Sequence, residues 1–167
     1  HSGVATDTDA AELSRLLVAR AGESAATVAT AESCTGGLVG SAITAVPGSS
    51  AVYLGGFITY SNDAKMALLG VTRDVLGGDG AVSERCARQM ARGARKRLGS
   101  TLAVSITGIA GPAGGTREKP IGTVWIGLAT AEGARAEVFR FSGDRAEVRR
   151  ASTVAALKAI LSELTSG

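Results

Sequence analysis

Hydrophobic and polar residues alternate along the chain in two patterns, which predict an alternation of helices and strands. Apolar residues at helical spacing or between helix start and stop signals predict helices at residues 7–21, 38–46, 64–69, 83–98 and 145–164. Short runs rich in β-branched or aromatic residues predict strands at residues 26–29, 56–60, 101–106, 122–130 and 134–141. The first helix is expected to have Asp7, Thr8 or Asp9 as its N-cap residue.

The order of these elements indicates an α/β fold in a single domain that covers residues 1–167. Strands that alternate with helices predict a mostly parallel sheet with helices on both faces. Glu132 and Gly133 join the last two strands, a pattern typical of a hairpin, so these strands are expected to form an antiparallel edge. His1 and Ser2 resemble a cloning remnant and are left out of the predicted fold.

Composition narrows the functional classes. The chain is 45% hydrophobic but only 4% aromatic, so its core is expected to consist of Ala, Val, Leu and Ile. The net charge is +3, and the basic residues are interspersed with acidic ones, which predicts no nucleic-acid partner. No run approaches the roughly 20 apolar residues of a membrane span, and no signal peptide is recognisable. These features predict a cytoplasmic protein with no membrane partner.

The few cysteine and histidine residues limit the possible chemistry. The chain has two cysteines and a single histidine, which is His1. A Ser–His or Cys–His pair is therefore not expected inside the domain, and neither a metal site nor a cofactor is expected. A serine nucleophile would need Lys, Tyr, Asp or Glu as its base.

The sequence TAESCTGG at residues 30–37 lies between a predicted strand and a predicted helix. A turn of this kind exposes backbone N–H groups at a helix N-terminus, where an anion or oxyanion can bind. Ser33, Cys34 and Thr35 are three consecutive candidate nucleophiles or donors, and Ser33 is expected in an exposed turn. The alternative is a simple N-cap followed by a glycine turn. Glu32 could orient the site or interact with the helix dipole.

Three segments are expected to converge at the carboxyl ends of the strands, where ligands bind in such sheets: residues 32–37, 59–65 and 107–115. The second segment carries Lys65 near the start of a short helix. A free lysine has a pKa of about 10.4, so burial would have to lower that pKa before Lys65 could act as a base.

Six motifs, in order, closely resemble the C-terminal domain family of the competence/damage-inducible protein CinA. They are TAESCTGG (30–37), GFITYSNDAK (56–65), GAVSE (80–84), SITGIAGP with GG (105–112 and 114–115), KPIGTVW (119–125) and FSGDR (141–145). The resemblance implies a three-layer α/β/α sandwich. It also implies deamidation of nicotinamide mononucleotide to nicotinate mononucleotide and ammonia.

The resemblance implies a catalytic serine, a lysine base and a nearby tyrosine, which fall on Ser33, Lys65 and Tyr60. The implied substrate is a nucleotide, which is expected to contact the turn, the glycine-rich loop at residues 107–116 and the last helix. The expected contact residues are Glu32, Cys34, Thr35, Gly36, Gly37, Thr107, Gly108, Gly111, Gly114, Gly115, Arg145 and Arg149. Either arginine is a better candidate than Arg150 for binding the substrate phosphate.

Three further questions stay open at the level of sequence. Cys34 is an alternative nucleophile, although a buried free cysteine more often has a packing role. A non-catalytic module that binds a pyridine nucleotide or phosphate is the alternative to an enzyme. A homodimer or higher homo-oligomer is expected, because a small open sheet leaves an exposed edge.

Overall fold

The computed structural model describes residues 5–166, so the suggestion about His1 and Ser2 lies outside the described residues. Its helices are Asp7–Glu23 (α1), Leu38–Thr44 (α2), Asn62–Leu69 (α3), Arg73–Gly77 (α4), Glu84–Leu98 (α5) and Arg145–Ser166 (α6). Its strands are Val28–Glu32 (β1), Tyr53–Ile58 (β2), Leu102–Gly108 (β3), Thr123–Thr130 (β4) and Gly133–Arg140 (β5). A short 3₁₀ helix, Ser49–Ala51, precedes β2.

The five strands form one sheet in the order β2-β1-β3-β4-β5. The β1 strand pairs in parallel with both β2 and β3, whereas the β3–β4 and β4–β5 pairs are antiparallel. The α/β fold and the antiparallel edge hairpin are therefore confirmed. Four of the five strands point in the same direction, because two successive reversals return β5 to the direction of β3.

Alternating residues of the central strands build two different cores. Val28 and Val104 pack with α1, α2 and α6 on one face of the sheet. Ala29 and Ala103 face the opposite side, where α5 packs. Small side chains on that face let α5 approach the sheet closely.

A glycine in α5, Gly93, allows α3 to pack closely against that helix. A Cβ atom on Gly93 of α5 would overlap the carbonyl group of Leu69, the last residue of α3. The two helices therefore approach each other more closely at this point than any larger residue would permit. This contact fixes the position of α3, the helix that carries Lys65.

Three local predictions need correction. The N-cap of α1 is Thr6, whose hydroxyl accepts from the Asp9 N–H while the Asp9 carboxylate accepts from the Thr6 N–H, a complete capping box. The β1 strand continues to Glu32, so the first three residues of TAESCTGG belong to a buried strand. The β2 strand spans Tyr53–Ile58, so it begins three residues before and ends two residues before the predicted range of 56–60.

None of the helices within residues 5–166 is both long enough and apolar enough to cross a membrane.

Candidate active site

The register of the parallel strands brings the three predicted segments together. Glu32, the last residue of β1, pairs with Ile58 at the end of β2 and with Ile106 near the end of β3. The ladder continues beyond β1, because the Ser33 N–H donates to the Ile106 carbonyl over 2.9 Å. Residues 33–37, which we call the nucleophile turn because the sequence predicts a nucleophile there, therefore lie beside Thr59 at the carboxyl edge of the sheet.

Ser33 and Lys65 are in direct contact at this edge. The Lys65 Nζ atom lies 3.0 Å from the Ser33 Oγ atom. It also donates to the carbonyl oxygens of Thr59 at 2.9 Å and Tyr60 at 3.1 Å. Lys65 is 1% exposed and Ser33 only 7%, so the prediction that Ser33 lies in an exposed turn is wrong.

These three contacts suit Lys65 in both of its protonation states. An ammonium group donates all three hydrogen bonds. A neutral amine can donate to the two carbonyls and accept the Ser33 proton with its lone pair. Proton transfer between Ser33 and Lys65 therefore needs no change in the contacts of the Nζ atom.

Burial favours the neutral amine. It lowers the pKa of Lys65 from its ordinary value of 10.5, since desolvation disfavours the ammonium ion. Within residues 5–166, no carboxylate lies within ion-pair distance of Lys65. The neighbouring thiols of Cys34 and Cys86 stay protonated at neutral pH, because burial raises each pKa to about 11.

Glu32 lies beneath the nucleophile turn and is 2% exposed. Its Oε1 atom accepts from the Thr35 hydroxyl at 2.5 Å and from the N–H groups of Gly37 and Val39, each at 3.1 Å. Its Oε2 atom accepts from the Gly40 N–H at 3.0 Å. The carboxylate therefore caps α2, in place of the direct substrate contact predicted from the sequence.

Because Glu32 caps α2, the predicted oxyanion site cannot lie at the N-terminus of this helix. The N–H groups at the start of α2 are occupied by Glu32, so they do not remain available for a substrate. The N–H groups of Cys34 and Thr35 donate to no carbonyl or carboxylate oxygen within residues 5–166. They are the backbone donors next to Ser33 that remain without such a partner, and Cys34 follows Ser33 directly.

Arg149 of α6 holds the other side of the nucleophile turn. Its Nε atom donates to the Cys34 carbonyl at 3.0 Å, and a terminal nitrogen donates to the Thr35 carbonyl at 3.3 Å. The same guanidinium would lie 3.4 Å from a Cβ atom on Gly36. Gly36 and Gly37 have φ angles of 57° and 106°, which favour glycine at both positions.

Arg145 links two other parts of the site. Its guanidinium donates to the Gly111 carbonyl at 2.7 Å and to the Tyr60 hydroxyl at 3.0 Å. Tyr60 is 63% exposed, and it contacts Lys65 through its backbone carbonyl. The phenol is therefore bound to Arg145, whereas the backbone of Tyr60 orients the lysine.

The glycine-rich loop contributes backbone at this edge. The Thr107 hydroxyl is bound to the Ala81 carbonyl at 2.8 Å, and Thr107 is 1% exposed. A Cβ atom on Gly108 would crowd Val124, and one on Gly115 would crowd Ile121. Gly111 and Gly114 have φ angles of 86° and 97°. Only Gly111 of these loop glycines is tied to another site residue, through Arg145.

Sequence reasoning did not identify the groups that orient Lys65. They are main-chain carbonyls of residues 59 and 60, and side-chain chemistry gives no signal for such groups. No three His, Cys, Asp or Glu side chains within residues 5–166 are grouped so that they could hold a metal ion.

A buried serine–lysine pair at the carboxyl edge of a partly parallel sheet defines a class of α/β protein with the groups needed for acyl transfer. The model of the CinA C-terminal domain matches residues 10–164. The chain therefore belongs to the CinA C-terminal domain family.

Relatives and solved structures agree with this assignment. The chain is 53% identical to a CinA-like protein of Geotalea daltonii over 139 residues, 83% of this chain and 34% of that protein. The structure of competence/damage inducible protein CihA from Agrobacterium tumefaciens is 43% identical, with a TM-score of 0.90 over 94% of this chain and 96% of that one. A CinA superfamily protein from Escherichia coli is 37% identical, with a TM-score of 0.89 over 95% and 92%. The chain spans about a third of the length of the curated relatives it matches.

Proposed function

We propose that this protein is an amidohydrolase that converts nicotinamide mononucleotide to nicotinate mononucleotide and ammonia. The observation that carries the proposal is the 3.0 Å contact between the Lys65 Nζ and Ser33 Oγ atoms. Burial without a carboxylate partner favours a neutral Lys65, which is the form that can accept the Ser33 proton.

The reaction would proceed through an acyl-enzyme. Lys65 accepts the Ser33 hydroxyl proton as Oγ attacks the carboxamide carbon. The N–H groups of Cys34 and Thr35 stabilise the resulting oxyanion, and one such donor typically contributes about 3–4 kcal/mol. Lys65 returns the proton to the departing nitrogen, which leaves as ammonia. Water then attacks the ester carbon and gives a proton to Lys65, which passes it to the Ser33 Oγ atom as the bond to the acyl carbon breaks. The product acid loses its remaining proton to solvent and leaves as the carboxylate.

A phosphorylated substrate is supported by two arginines beside the nucleophile turn. Arg145 and Arg149 are one helical turn apart and therefore project from the same side of α6. Neither forms an ion pair within residues 5–166, whereas Arg150 pairs with Asp7 at 3.4 Å. Because no carboxylate of the described residues neutralises either guanidinium, both can pair with an anionic group of a substrate.

Ammonia release from nicotinamide mononucleotide tests the proposal directly. Nicotinamide riboside is the matched substrate, since it lacks only the phosphate, and it is expected to react with a higher KM. Calorimetric binding of the nucleotide without ammonia release would instead favour a non-catalytic binding module. Absence of both binding and release would reject the nucleotide as ligand.

Arg145→Gln is expected to raise the KM for nicotinamide mononucleotide by roughly tenfold or more, the usual range for losing a charge-assisted hydrogen bond. Arg145 is the more exposed of the two arginines and can meet a phosphate in solvent. Steady-state kinetics of ammonia release measures the change. Arg150→Gln is the matched control on the same helix, and Tyr60→Phe separates loss of the phosphate contact from loss of the Tyr60 contact. An unchanged KM would remove Arg145 from the substrate site.

A further inference from the structure

We propose that Glu32 is a positioning residue, whose buried carboxylate fixes the nucleophile turn so that the N–H groups of Cys34 and Thr35 stay free for the oxyanion. The inference rests on the proposed acyl-transfer function of Ser33. It assigns to Glu32 a role that acts through the turn, without contact with the substrate.

The hydrogen bonds of Glu32 account for its buried charge. Three backbone N–H groups and one hydroxyl donate to the two carboxylate oxygens. Backbone donors at the start of a helix are the natural partners of a buried anion, because the helix dipole also favours negative charge there. Glu32 therefore neutralises the anion-binding end of α2 from inside the protein.

The same contacts determine which donors remain for the substrate. The Gly36 N–H donates to the Ser33 carbonyl, and the Leu38 N–H donates to the Thr35 carbonyl. The N–H groups of Gly37, Val39 and Gly40 donate to Glu32. The two donors that remain are those of Cys34 and Thr35. If the carboxylate were absent, the N–H groups of α2 would compete for any anion that enters the site.

Close packing holds the carboxylate against α2. A Cβ atom on Gly40 would lie 2.7 Å from the Tyr53 hydroxyl and 3.6 Å from the Glu32 Oε2 atom. The Tyr53 hydroxyl is in turn hydrogen-bonded to the Thr30 hydroxyl at 2.7 Å. Glycine at position 40 thus allows the first turn of α2 to reach the carboxylate.

Arg149 binds carbonyl groups of the nucleophile turn, whereas Glu32 binds N–H groups. The carboxylate accepts from N–H groups, and the guanidinium donates to the carbonyls of Cys34 and Thr35. The Cys34 carbonyl belongs to the same peptide group as the Thr35 N–H. A hydrogen bond from a cation to that carbonyl polarises the peptide group and strengthens its N–H as a donor. Both charged residues therefore prepare the same oxyanion site.

Glu32→Gln tests the role of the carboxylate with little change in size. The amide places a donor where a carboxylate oxygen accepted, so one backbone N–H loses its partner and the turn loses its fixed geometry. We expect kcat for ammonia release to fall about 10–100-fold while KM stays within about threefold, because oxyanion stabilisation acts in the transition state. Because Lys65 is not altered, we expect the rate of the variant to depend on pH in the same way as the wild-type rate.

Two controls separate positioning from general destabilisation. Ile160→Ala removes a fully buried side chain of α6, and it is expected to lower the melting temperature with unchanged kcat well below that temperature. Thr35→Val removes the hydroxyl that donates to Glu32. If both residues act through one arrangement, the losses in kcat from Glu32→Gln and Thr35→Val will be clearly less than additive in the double variant.

A substrate-independent measurement separates this inference from the proposed substrate. Diisopropyl fluorophosphate should label Ser33 in the wild type, and Glu32→Gln should slow that labelling 10–100-fold, about the same factor as kcat. Fast labelling without ammonia release would reject the nucleotide substrate, while the labelling rates would still decide the role of Glu32. Wild-type labelling rates in Glu32→Gln, or a rise in KM with unchanged kcat, would overturn the inference. No labelling of wild-type Ser33 would overturn it together with the nucleophile.

Discussion

Ser33→Ala is expected to reduce ammonia release from nicotinamide mononucleotide by about 10⁴-fold or more, as loss of a catalytic nucleophile does in other acyl-transfer enzymes. The physical reason is that, within residues 5–166, Ser33 provides the one hydroxyl that is hydrogen-bonded to the Lys65 Nζ atom. Steady-state assays of ammonia, with mass spectrometry of the trapped acyl-enzyme, measure the effect.

Cys34→Ala is the matched control at the neighbouring position. The Cys34 thiol is a poor nucleophile at neutral pH, because burial raises its pKa to about 11. The variant keeps the backbone N–H, so its rate should stay within about threefold of wild type. Loss of activity in Cys34→Ala with normal turnover in Ser33→Ala would assign the nucleophile to Cys34.

Replacement of Lys65 is expected to have the second largest effect. Lys65→Met should lower kcat by at least the 10²–10⁴-fold usual for a general base. Lys65→Arg should be nearly as harmful, because a guanidinium does not release its proton at these pH values. Near-normal kcat in Lys65→Arg would mean that position 65 provides only a positive charge, and that another group activates Ser33.

The wild-type rate should rise with pH through one ionisation below the 10.5 of an ordinary lysine, since burial lowers the pKa of Lys65. The sign of the stability effect follows from the same change. Between the lowered pKa and 10.5 the unfolded chain binds more protons than the folded one, so the free energy of unfolding increases with pH.

Comparison with Lys65→Met isolates that contribution. The stability of the wild type relative to Lys65→Met should decrease as pH falls from 10.5 towards the lowered pKa and should become independent of pH below it. Urea unfolding at several pH values below about 9 measures it, since above that pH the two cysteines, with pKa values raised to about 11, act in the opposite direction in both proteins. A difference that does not change with pH would show that Lys65 stays charged when the protein is folded.

The sequence predicted the convergence of three segments because parallel strands end at the same edge, and the register of β1 confirms it. It did not distinguish the two roles open to Glu32, because that distinction depends on which N–H groups reach the carboxylate. The boundaries of β1 were wrong for a related reason. Thr30 and Glu32 are polar residues in a fully buried strand, where their partners on β2 and α2 satisfy them. Tyr53 lies 23 residues from Thr30, and the N–H groups that reach Glu32 do so only because the chain turns back over β1 into α2.

If the proposed reaction is under selection, the close contact between Gly93 and Leu69 adds a residue outside the site to those on which that selection acts. This contact positions α3, the helix in which Lys65 lies one turn before Leu69. A side chain at position 93 would push α3 away from α5 and would displace the lysine from Ser33. Purifying selection on the reaction should therefore reach a glycine on another helix, which touches neither the nucleophile nor the substrate.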